Sequence, residues 1–99
     1  MASKKTILIV DDHTLFREGL KAIIGRNPGY DVVGETGRAD SALQMARALR
    51  PDVVLVDISL PDQSGSGLAL ELRKSRPRAA VMMVTMHSKV DYIVNAFQA

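Results

Sequence analysis

Four short apolar runs punctuate the chain: Ile7-Leu8-Ile9-Val10, Val32-Val33, Val53-Val54-Leu55-Val56 and Val81-Met82-Met83-Val84. Three of them are continuous rather than alternating, the pattern of a strand covered on both faces by helices, so they predict a central parallel sheet. Between and after them the spacing turns helical. Phe16, Leu20, Ile23 and Ile24 recur at offsets of four, seven and eight, which places them on one face of a helix. That helix is expected to stop near Arg26, because Asn27-Pro28-Gly29 removes a donor and supplies a turn. A second helix carries Ala39, Ala42, Leu43 and Ala46 and ends at Arg50, before Pro51. A third runs from about Ser66 to Ser75 with Leu68 and Leu72 inward, and a fourth shows Val90, Ile93, Val94 and Phe97. The order βαβαβαβα predicts one doubly wound α/β domain over residues 1–99. Right-handed crossovers put helices on both faces, and the flavodoxin-like strand order 2-1-3-4 is preferred. The Rossmann order 3-2-1-4 normally brings a Gly-rich turn after the first strand, where this chain has the acidic Asp11-Asp12-His13-Thr14.

Composition narrows the class. Hydrophobic residues make up 46% and charged residues 24%, which suits a packed globular domain and excludes a disordered one. The net charge is +2, but thirteen Lys and Arg are scattered among eleven Asp and Glu, so no basic nucleic-acid surface is indicated. Without cysteine there are no disulfides or thiolate metal sites, and a cytoplasmic location is the default. No apolar run approaches the about 18 residues of a membrane span.

The candidate chemistry sits at strand ends. In the 2-1-3-4 order the switch point lies between the first and third strands, where Asp11-Asp12 and Asp57 end their strands. Neighbouring strands lie about 4.8 Å apart, so these carboxylates converge and their repulsion calls for a cation. Oxygen donors suit Mg²⁺ or Mn²⁺. Thr85, at the end of the fourth strand, can donate a hydroxyl to an anionic oxygen on Asp57. A carboxylate nucleophile, a hydroxyl and a metal together point to phosphoryl transfer onto Asp57.

These residues, together with Asp57-Ile58-Ser59-Leu60-Pro61 and Gly65, resemble bacterial response-regulator receiver domains of two-component signalling. The run Asp11-Asp12-His13-Thr14-Leu15-Phe16-Arg17-Glu18-Gly19-Leu20 is similar to the LuxR-type, NarL/FixJ-like subfamily. The resemblance implies that Asp57 accepts a phosphoryl group from a sensor histidine kinase. It implies that Asp12 ligates Mg²⁺ directly, Asp11 through water, and the Ser59 backbone carbonyl completes the protein's share. Thr85 is then the switch hydroxyl, and DNA is reached only through a C-terminal helix-turn-helix domain that these residues do not encode. Family members continue through a fifth strand bearing a Lys and a fifth helix, one βα unit past Ala99. On that basis an impaired, purely dimerising module is the alternative function, and a homodimer is expected through the apolar surface and the fourth-strand edge.

Blander readings stand beside these. His13 and His87 are read as solvated loop residues, Lys89 as the start of the last helix, and Met82 and Met83 as core filler. Gly65-Ser66-Gly67 lacks the Lys-Ser/Thr ending of a P-loop and reads as the entry to the third helix. An aspartate-nucleophile phosphatase usually carries a second acid two residues after the nucleophile, and that position here is Ser59.

Overall fold

The computed structural model describes residues 4–57, 60, 65–75 and 78–84. Its elements are β1 (Lys5–Val10), α1 (Thr14–Gly25), β2 (Tyr30–Thr36), α2 (Ala39–Leu49), β3 (Val53–Asp57), α3 (Gly65–Ser75) and β4 (Ala80–Val84). The strands form one parallel sheet in the order β2-β1-β3-β4, the flavodoxin-like order with its reversal between β1 and β3. The expected fourth helix, with Lys89 and His87, lies outside the described residues, as do Ser59 and Thr85. Among the described residues no helix is long and apolar enough to cross a membrane.

The continuity of the apolar strands follows from burial on both sides. Along β1, Leu8 and Val10 point into one core with Val54, Val56, Leu68, Leu72 and the alanines of α2. Ile7 and Ile9 point the other way, against Phe16 and Leu20 of α1, with Val53 and Leu55 beside them. Each fully buried Leu or Ile stabilises the fold by about 1.5–3 kcal/mol relative to exposure, so neither face of β1 tolerates a polar residue. The stripe Ala39, Ala42, Ala46 lets α2 lie close on the sheet, all three being buried.

The turns end the helices where local chemistry requires. After α1, the Gly29 N–H donates to Asn27 Oδ1 at 2.9 Å, and the Gly29 carbonyl accepts from Lys5 N–H at 2.9 Å, which starts the β1–β2 pairing. Pro51 disfavours the right-handed helical conformation at Arg50, which adopts φ 49°, ψ 57° and still donates its N–H to the Ala46 carbonyl.

Two expectations need correction. β2 spans seven residues rather than the Val32-Val33 core, because it is an edge strand whose Asp31, Glu35 and Thr36 need no apolar cover. Its register against β1 slips between Ile7 and Leu8, which pair with Val32 and Gly34, so Val33 is an inserted bulge residue. Met82 and Met83 are 42% and 37% exposed rather than core filler, on the strand that ends the described sheet.

Candidate functional site

The pairing of Val10 with Val56 sets the next residues of both strands, Asp11 and Asp57, side by side at the carboxyl edge. Both are buried, at 2% and 3% exposure, while the Asp12 side chain is 40% exposed at the mouth. One ligand-capable atom from each of Asp11, Asp12, His13 and Asp57 lies within 4.8 Å of the others. The three acids singled out from the sequence are therefore brought together. Ser59 and Thr85 lie outside the described residues.

His13 is the residue that sequence reasoning missed. It is not simply solvated: its Nδ1 lies 2.8 Å from Asp11 Oδ1, 3.2 Å from Asp12 Oδ1 and 3.5 Å from Asp57 Oδ2. Its backbone N–H also donates to Asp11 Oδ1 at 2.8 Å, the local turn that an Asp favours two residues ahead. The signal available beforehand was that turn preference, which carries the His ring back toward the acid pair.

The acid-bearing turn is tied down from behind. The Asp11 N–H donates to the Thr36 carbonyl at 2.9 Å, prolonging the β1–β2 ladder by one bond. The Arg17 guanidinium donates to the Asp11 backbone carbonyl and, through Nε, to Glu35 Oε1 at 3.1 Å. Lys21 Nζ reaches Glu35 Oε2 at 2.6 Å and Glu18 Oε1 at 2.9 Å. The Lys21 hydrogen bond holds the Glu35 carboxyl below the ordinary carboxylate range, with Arg17 adding to it against an opposing effect of burial. The Glu35 contact, followed by that of Glu18, raises Lys21.

The donor chemistry fits a hard divalent cation. Two buried carboxylates and a third at the mouth present only oxygen, and burying such charges is costly without a compensating cation. The Asp57 Oδ2 oxygen is itself shielded from solvent and faces the same small space. Asp57 lies on the last residue of a central strand, where a carboxylate can meet an incoming electrophile while its backbone stays in the sheet.

A strand-end acid cluster at the reversal of a 2-1-3-4 parallel sheet agrees with the receiver domain expected from the sequence. The chain belongs to that family: the profile described as response regulator receiver domain matches residues 7–99. It is 31% identical over 96 residues to the transcriptional regulatory protein DegU of Brevibacillus brevis, covering 97% of this chain and 41% of that protein. It is 34% identical over 93 residues to the DNA-binding transcriptional activator DevR/DosR of Mycobacterium tuberculosis, covering 94% of this chain and 43% of that one. This chain thus spans about two fifths of the length of these relatives. Among solved structures, a LuxR-family two-component response regulator from Aurantimonas sp. SI85-9A1 superposes with a TM-score of 0.80 at 35% identity, covering 97% of this chain and 69% of that one. The signal receiver domain of the response regulator NarL from Mycobacterium tuberculosis gives 0.81 at 30% identity, covering 98% and 78%. The NarL and LuxR-type relationship expected from the Asp-Asp-His run is therefore upheld.

Proposed function

We propose that the domain carries a transient phosphoryl group on Asp57, received from the phosphohistidine of a sensor histidine kinase or from a small phosphodonor. A carboxylate oxygen of Asp57 forms the new P–O bond as the donor's P–N bond breaks and the electron pair leaves on the imidazole, giving an aspartyl-phosphate. The observation that carries this reading is the placement of a buried Asp57 at the end of β3, within 4.8 Å of Asp11 and Asp12.

Asp12 and Asp57 hold Mg²⁺ or Mn²⁺ in this reading, with Asp11 acting through water. When bound, the ion supplies charge neutralisation for the phosphoryl oxygens. The family resemblance adds the Ser59 backbone carbonyl to this set and gives the Thr85 hydroxyl the role of sensing the phosphoryl group. The output is control of a DNA-binding helix-turn-helix segment encoded outside these 99 residues, in a homodimeric cytoplasmic regulator.

Intact-mass measurement after incubation with Mg²⁺ and acetyl phosphate tests the proposal. Wild type is expected to gain one phosphoryl group, and Asp57→Asn to gain none. A folded wild type that forms no such adduct, and no beryllofluoride complex dependent on Asp57, would leave only an interaction module.

A further inference from the structure

Arg17 makes contacts that the phosphoryl chemistry does not use. It lies in the first turn of α1, yet its guanidinium bridges the backbone carbonyl of Asp11 at the end of β1 and the carboxylate of Glu35 on β2. The Arg17 and Glu35 side chains are only 18% and 29% exposed, so the bridge is partly shielded from water and salt. Lys21 braces Glu35 from its other oxygen at 2.6 Å.

We propose that Arg17 is a positioning residue for the cation-binding carboxylates, fixing the peptide that joins Asp11 to Asp12. The inference rests on the reading of these acids as a Mg²⁺ site. A peptide unit is planar, so holding the Asp11 carbonyl also fixes the Asp12 Cα from which that carboxylate extends. The flat five-donor guanidinium can serve a carbonyl and a carboxylate at once, which an ammonium does less well. Gly37 borders the same place: a Cβ there would lie 3.2 Å from Asp12 Cα and 3.3 Å from Arg17 Nη1. A side chain at position 37 would therefore crowd both Asp12 and the guanidinium that anchors its peptide.

The sign of the effect separates positioning from charge. A cation beside the site repels Mg²⁺, so removing the Arg17 charge alone strengthens metal binding. Loss of positioning weakens it, and outer partners of metal ligands typically contribute about tenfold or more in affinity.

Mg²⁺ binding by calorimetry and Mn²⁺ binding by electron paramagnetic resonance should be measured on wild type, Asp12→Asn, Arg17→Met and Gly37→Ala, each checked for a cooperative thermal transition. Arg17→Met is expected to bind both ions about tenfold more weakly, and Gly37→Ala to weaken binding in the same direction. Arg47→Met, which removes a cation from an exposed position in the last turn of α2, serves as the control and is expected to keep wild-type affinity. Equal or tighter binding by folded Arg17→Met overturns the positioning role while leaving the Mg²⁺ reading intact. If Arg17→Met does not fold, unchanged affinity in Gly37→Ala overturns it instead. Wild-type binding that does not depend on Asp12 overturns the Mg²⁺ reading itself, and this inference with it.

Discussion

At the residue scale, His13 stands closest to all three carboxylates, at 2.8, 3.2 and 3.5 Å through a single nitrogen. An imidazole N–H donating to Asp11 occupies the space that a cation would need, so metal entry has to displace it. His13→Ala is expected to tighten Mg²⁺ binding about threefold to tenfold, the equivalent of one hydrogen bond that no longer has to be surrendered. Calorimetric titration of the two proteins decides it, and weaker binding would make His13 a ligand rather than a competitor. Asp11, Asp12 and Asp57 were legible in the sequence because each follows an apolar run, and strand-end acids of adjacent parallel strands must meet. His13 was missed because periodicity says nothing about a side chain's rotation, and only the turn preference of Asp11 hinted at it.

At the scale of elements, the two-sided cores explain why β1 and β3 read as unbroken apolar runs, and the polar edge explains why β2 did not. Gly34 shows what the run lengths could not. It pairs with Leu8 just after the bulge, and a Cβ added there would lie 2.7 Å from Met45 Cε and 2.9 Å from Leu49 Cδ1. The glycine is what allows α2 to seat against β2. Valine has the better strand propensity, a gain of at most about 1 kcal/mol. Overpacking against two side chains of α2 and Leu8 costs about 1–3 kcal/mol, so the loss should win. Gly34→Val is expected to lower the urea midpoint with the slope of the transition unchanged.

At the scale of the whole molecule, the same side of the sheet that α1 covers also holds an open apolar cavity of about 350 Å³, lined in part by Leu20, Ile24, Val53, Leu55 and Met82. It runs out to β4, the edge of the described sheet, where Met82 and Met83 are exposed. Exposed apolar area favours association. The proposed homodimer therefore predicts a light-scattering mass twice the 10.8 kDa of one chain, falling toward the single-chain value on dilution. A single-chain mass at high concentration would refute it.

The amino-acid order by itself determined the class of fold, because burial on both faces leaves a continuous apolar signature and the alternation of strands with helices restricts the topology to a few arrangements. It also put Asp11, Asp12 and Asp57 on one edge, since the strands of a parallel sheet all end on the same side, and the strand order seen in the structure made them neighbours. Tertiary structure decided what depends on side-chain direction and close packing between segments distant along the chain. It turned His13 into the acid cluster, drew Arg17 across to Glu35 and the Asp11 carbonyl, set Gly37 against Asp12, and left Met82 and Met83 outside the core. Such contacts join residues on different elements, and their geometry exists only once the sheet and its helices have been packed together.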